Sequence, residues 1–160
     1  MKILYSEKNF STGVTIILGL ISLFLTGFFA IQLIVGPLGS RPAPDWLLAA
    51  IAVFSVATTI NFSRLSVGLS EEGVTVRYGI FHASRAWSDV VSCEEDDERR
   101  FYGWGIRFGP YKKRWIWIYN VIGGPRVVFL TSGAKPRGLM ISVKNPAEVL
   151  RVARERIARS

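Results

Sequence analysis

Between Phe101 and Tyr119 the chain sets aromatic and basic side chains next to one another. Phe101, Tyr102, Trp104, Tyr111, Trp115, Trp117 and Tyr119 stand among Arg107, Lys112, Lys113 and Arg114, with Arg99 and Arg100 just ahead. Such a mixture suits binding rather than bond making. Rings supply apolar contact, and each basic group is worth about 1 kcal/mol beside an anionic membrane surface. With a strand period of two, Trp115, Trp117 and Tyr119 share one face while Ile116 and Ile118 take the other. Both faces are apolar, so one fills the core and the other needs cover from a terminal helix, a partner or a membrane interface. Arg99, Arg100, Trp104, Lys112, Lys113, Arg114, Trp115 and Trp117 form the candidate lipid or partner surface. Ordinary packing beside a solvated basic loop is the competing reading.

Other chemistry is poorly supplied. A single His82 and a single Cys93 exclude an internal disulfide, a Cys/His zinc cluster and a multi-histidine metal site. No nucleophile elbow or phosphate loop surrounds His82, Asp89 or the serines, and glycines 103, 105 and 109 do not follow a dinucleotide fingerprint. Cys93 stands next to acids, whose like charge is expected to raise its thiol pKa and leave it inert. Glu94, Glu95, Asp96, Asp97 and Glu98 run into two arginines without EF-hand spacing, and read as a solvated strand end and loop. The expectation is a non-enzymatic protein with no catalytic residue, cofactor or metal.

The charges also organise the chain. At 160 residues there is room for one globular domain, and 49% hydrophobic against 20% charged residues puts a membrane location first. No Asp, Glu, Lys or Arg occurs from Asn9 to Ser40, and 13–36 is interrupted only by Thr15, Ser22, Thr26 and Gln32 among polar residues. As a helix it reaches about 36 Å, enough to cross a hydrocarbon core of about 30 Å. A second uncharged run, 46–62, reaches about 25 Å, near the short limit, with Trp46 and Phe62 suited to its interfacial ends. A buried core helix competes with the second reading. A cleaved signal peptide competes with the first, because Lys2 and Lys8 resemble its positive start. The length of the first run and the presence of the second keep both spans in the mature protein. Neither span carries an ionisable side chain, which ill suits ion transport. Gly19, Ser22, Gly27 and Ala30 in one helix, with Ala49, Ala52 and Ser55 in the other, permit close packing or self-association into a homo-oligomer.

Three prolines in 37–45 make a short external loop, with Asp45 a plausible cap for the second helix. Lys2, Lys8, Arg64 and Arg77 flank the outer ends against Arg41 in the loop. The positive-inside rule then puts both termini in the cytoplasm, with 1–12 a cytoplasmic N-terminal segment. From 64 to 160 the pattern turns to short strands, predicted at 65–69, 74–78, 81–87, 90–95, 105–108, 114–119, 126–131 and 139–143. Turn signals fall at Gly109-Pro110, at Gly123-Gly124-Pro125 and over 132–138. The expected arrangement is an antiparallel meander, a bent sheet or open barrel. One C-terminal amphipathic helix, capped by Asn145 and begun by Pro146, covers it.

Several segments of 65–157 carry a resemblance: Glu72-Gly73-Val74 with Tyr78-Gly79, Ala86-Trp87-Ser88-Asp89-Val90, Gly103-Trp104-Gly105-Ile106-Arg107, Gly123-Gly124-Pro125, and Asn145-Pro146 opening a helix. This stretch resembles the bacterial pleckstrin-homology-like domains of uncharacterised membrane proteins, which often carry one or two spans ahead of the domain. The resemblance implies a PH-like fold, a bacterial source and a scaffold that serves many binding roles. From Arg64 onward 17 Lys and Arg stand against 10 Asp and Glu, a balance of +7 that favours an acidic leaflet. The basic residues are dispersed and no recognition helix accompanies them, so nucleic acid is not expected. The functional expectation is a membrane-anchored module that engages a protein or peptide at the cytoplasmic face. Anionic-lipid headgroup binding and an accessory subunit of a membrane enzyme or transporter are the alternatives.

Overall fold

The computed structural model describes residues 2–37, 39, 42–96, 103–133 and 137–159. It divides into two compact units, residues 12–63 and residues 1–11 with 64–160.

The first unit is a helical hairpin. Helix α1 (Thr12–Val35) and helix α2 (Asp45–Asn61) each begin one residue before their predicted positions. Ser22, Gln32 and Thr59 turn inward. Ser22 and Thr59 share a hydrogen bond of 3.0 Å, and the Gln32 amide donates to the Ala43 carbonyl and to Asp45 Oδ1 at 2.9 and 2.7 Å. The two pairs fix an antiparallel hairpin. Ala52 and Ser22, two of the small residues, are buried between the helices. Almost everything that faces outward is apolar, including Ile16, Leu20, Leu23, Phe24, Val53 and Phe54. By length and composition α1 can cross a membrane; α2 is a shorter apolar helix of 17 residues.

The second unit is a β-domain of two sheets with one C-terminal helix. Sheet A has the order β1 (Ile3–Phe10), β2 (Arg64–Ser70), β3 (Gly73–Tyr78), β4 (Phe81–Ala86), all antiparallel. Residues 1–12, expected to form a segment separate from the domain, therefore contain its first strand. Asn9 is buried and donates to the Ser142 carbonyl at 3.2 Å, while both Glu7 carboxylate oxygens accept from the Lys144 amide. These bonds tie β1 to the other sheet.

A 3-10 turn at Trp87–Asp89 leads into sheet B, whose strands are β5 (Val90–Glu95), β6 (Gly105–Tyr111), β7 (Arg114–Asn120), β8 (Arg126–Thr131) and β9 (Gly138–Ser142). Their order is β5-β8-β9-β7-β6, with β7 and β9 parallel. The expected meander holds in sheet A but not here, because the 132–138 connection returns β9 between β8 and β7. Gly109 and Pro110 do not turn the chain; they lie inside β6. That strand is an edge paired only with β7, where a missing N–H is tolerated. The turn falls at Lys112 and Lys113, both with positive φ (43° and 65°), as a two-residue hairpin loop with matching twist requires.

The core lies on both faces of sheet B. Every residue of β9 is buried, as expected of a strand with neighbours on both sides and cover above and below. One face gathers Tyr111, Ile116, Ile118, Val128 and Met140. The other carries Phe129, Leu139 and Ile141, with the Trp87 ring 6.4 Å from Phe129. Helix α3 (Pro146–Ile157) buries Val149, Val152 and Ala153, mainly against β5. Its N-cap Asn145 accepts from the Glu148 amide, and the Glu148 carboxylate accepts from the Asn145 side chain.

Gly73 opens β3 opposite Ala86, where a Cβ would collide with the Arg85 carbonyl oxygen. The Ser70 hydroxyl, the Trp87 amide on Glu72 O and the Trp87 indole on Ser70 O all converge there. Gly73→Ala is expected to cost about 1–3 kcal/mol as β4 is pushed away. Thermal unfolding of the full chain in mild detergent reads this, and an unchanged midpoint would show that β4 moves freely.

Candidate binding surface

Strand β7 turns Ile116 and Ile118 into the core and leaves the tryptophan face partly open. Exposure rises along that face from Tyr119 at 5% to Trp117 at 36% and Trp115 at 50%. Register places Phe108 opposite Trp117 and Pro110 opposite Trp115. The Phe108 ring lies 5.2 Å from Trp115, stacked, and 5.4 Å from Trp117, tilted. The three rings brace each other in the offset geometry that aromatic quadrupoles favour. Helix α3, one of the three covers considered for this face, packs mainly on β5 at the opposite edge of the sheet and leaves Trp115 and Trp117 exposed.

Of the other residues singled out, Lys112, Lys113 and Arg114 lie at the β6–β7 turn, beside Trp115. Lys112 is engaged: its ammonium bonds Glu94 Oε1 at 2.8 Å, and the Tyr111 hydroxyl donates to the same oxygen at 3.1 Å. These contacts draw the two edge strands of sheet B together at one end. The bond from Lys112 holds the Glu94 carboxyl below the usual range. Burial first, then Glu94, pushes the Tyr111 phenol up to about 12. Because folding lowers the Glu94 value, the link is intact at neutral pH and is lost only as pH falls through that lowered value. Trp104 lies elsewhere, its ring edge-on to Tyr78 at 6.4 Å, at the opposite end of β6 from the lysine turn. Arg99 and Arg100 lie outside the described residues. The structure thus brings Lys112, Lys113, Arg114, Trp115 and Trp117 together and separates Trp104 from them. Phe108 joins the group although the sequence reading missed it; its spacing from Trp117 becomes meaningful only once the register is known.

The acidic run is not the uniformly solvated loop expected. Glu94 is engaged as above, and Asp96 forms an ion pair with Arg126 at 2.7 Å, the Asp96 side chain being fully buried. Asp97 and Glu98 lie outside the described residues. Burial, rather than the neighbouring acids, pushes the Cys93 thiol up, with Arg154 opposing it. His82 is exposed on β4, opposite Arg77.

No family model, curated protein or solved structure matches the chain.

Proposed function

We propose that the chain is a non-enzymatic, membrane-anchored binding module whose helical hairpin holds the β-domain at the membrane while the Phe108–Trp115–Trp117 face captures a protein or peptide. The observation that carries the binding reading is this exposed, mutually braced aromatic trio beside a basic turn. Exposed apolar patches mark interaction sites, and pre-ordered Trp anchors lose little entropy on binding.

Two observations support the anchor. The outward apolar side chains of α1 and α2 need a non-aqueous surrounding. Phe10 and Arg64 are register partners in one sheet, so both ends of the hairpin start from the same side of any membrane. A crossing by α1 then requires a return crossing, and α2 is the apolar helix that follows. At about 25 Å it is short, and the exposed Trp46 at its start suits an interfacial anchor. A signal peptide fits less well, since cleavage after α1 would remove β1 from its sheet. Two sheets and a C-terminal helix support the PH-like reading in outline, while the parallel β7/β9 pair departs from it. The basic residues before α1 and after α2 favour a cytoplasmic β-domain.

Headgroup binding at Lys112, Lys113 and Arg114 is favoured less. Lys112 is already paired with Glu94, and the turn lies about 20 Å along the strands from Asn120, which is bonded to Ser142 and so to Asn9 beside α1.

A photo-crosslinking residue at Trp117, compared with one at exposed Val91, tests the reading in native membranes. Protein adducts are expected at 117 alone. Trp115→Ala with Trp117→Ala is expected to weaken recovery of that partner at least thirtyfold, on about 2 kcal/mol for a buried Trp anchor. Equal adducts at both positions, or undiminished recovery, would refute it.

A further inference from the structure

The end of sheet A at which the chain leaves for α1 and returns from α2 gathers exposed apolar and basic residues. Only Ser11 separates β1 from α1, and only Phe62 and Ser63 separate α2 from β2. Phe10 is exposed there beneath the Arg64 guanidinium, 4.8 Å from its ring centre. Register carries this level across the sheet: Arg64 faces Phe10, Leu65 faces Tyr78, and Tyr78 faces Phe81. The β3–β4 turn therefore belongs to the same end. At its tip Ile80 is 75% exposed with Phe81 exposed beside it, and Arg77 Nε donates to Gly79 O at 2.7 Å, holding a guanidinium next to the turn.

Sheet B contributes at this level too. Trp104 meets Tyr78, and the Asn9 to Ser142 and Ser142 to Asn120 bonds bring the end of β7 to β1. The β7–β8 turn that follows exposes Ile122. The same end of the domain thus carries apolar residues from two turns and one strand end, with two arginines among them. Water gives such tips no stabilisation, whereas an anionic bilayer surface accepts both components: apolar tips below the headgroups and guanidinium groups on phosphate.

We infer that this end of the β-domain is a third membrane contact, seated in the headgroup layer of the bilayer that α1 enters, with Ile80, Phe81 and Ile122 reaching toward the acyl chains and Arg64 and Arg77 on lipid phosphates. The inference rests on the reading of α1 as a span.

The test uses the full chain carrying Cys93→Ser and one new cysteine at a time: Ile80→Cys, Ile122→Cys, Lys113→Cys or Leu23→Cys. Each is labelled with an environment-sensitive fluorophore and placed in nanodiscs of phosphatidylcholine with about 30% phosphatidylglycerol, a content chosen to supply the anionic surface. Lipids carrying a shallow nitroxide are expected to quench labels at 23, 80 and 122, while aqueous iodide quenches mainly 113. Lipid quenching at 23 with iodide quenching at 80 and 122 equal to that at 113 overturns the contact and leaves the anchor standing. Absence of lipid quenching at 23 overturns both. A Phe81→Glu change in the Ile122→Cys chain is expected to raise iodide access at 122 several-fold with unchanged circular dichroism; unchanged access also counts against the contact.

Discussion

A chain in which Asn-Gly replaces residues 12–63 is expected to fold as a soluble β-domain, whereas residues 64–160 alone are expected to be largely insoluble. The domain is discontinuous in sequence. Its edge strand β1 precedes the helices and pairs with β2 from Ile3 opposite Ser70 to Phe10 opposite Arg64. With the helices removed, Ser11-Asn-Gly forms a three-residue hairpin loop between that last pair, a length antiparallel strands accept with Gly at the left-handed position. Starting at Arg64 instead strips β2 of one of its two partners and leaves a long unpaired strand edge, the usual template for aggregation. It also removes the buried bond from Asn9 to the Ser142 carbonyl and the exposed one from the Lys144 amide to Glu7, which tie β1 to the end of the other sheet. Soluble yield, size-exclusion profile and circular dichroism of the two chains provide the comparison, with a several-fold deficit expected for 64–160. Equal solubility would mean that β1 is dispensable, and the description of the domain as interrupted by the hairpin would fail.

How much of this was readable from sequence follows the range of the interactions involved. Leu65, Val67 and Leu69 alternate, as do Val74, Val76 and Tyr78, and the structure buries all six in paired strands. Strands β5 and β8 keep their predicted bounds, and Asn145-Pro146 opens a helix as its cap chemistry requires. These are local signals. β1 has none of comparable strength: its burial alternates poorly, its partner lies beyond the whole hairpin, and Lys2 and Lys8 read as topogenic charges. The parallel β7/β9 pairing has no local signature either. At β6 a strong signal misled. Gly109-Pro110 reads as a turn, yet an edge strand tolerates both, while the true turn uses two lysines in a conformation that lysine rarely adopts. That misplacement also hid Phe108, because ending the strand at 108 removes the register that sets its ring against Trp117. The alternation of Trp115, Trp117 and Tyr119 was legible; that both faces carry core and only the Trp115–Trp117 end stays open was not, since this depends on where α3 lies.

Replacing Asp96 with alanine is expected to destabilise the β-domain by about 3–5 kcal/mol, more than any other single charge removal described above. The cause is burial. Arg126 Nε meets Asp96 Oδ2 at 2.7 Å, with the acid side chain fully covered and the arginine 15% exposed. The Asp96 amide also donates to the Arg126 carbonyl at 2.9 Å, so the end of β5 and the start of β8 are joined twice. Removing the carboxylate leaves a guanidinium that water reaches poorly. Removing Arg126 strands a carboxylate in the same place. The double change Asp96→Ala with Arg126→Ala is therefore expected to cost less than the sum of the single changes, a coupling of about 1–3 kcal/mol. Urea unfolding of the full chain in mild detergent, followed by near-ultraviolet circular dichroism, measures the cycle, and strict additivity would show that the two groups do not depend on each other. Glu94 and Lys112 provide the contrast within the same acidic run. Their pair is nearly as close, at 2.8 Å, but both side chains are substantially solvated, so Glu94→Gln is worth less than about 1 kcal/mol. Two residues apart in sequence, one acid ties strands together from inside the domain and the other steadies a surface turn, a difference made by burial rather than by residue type.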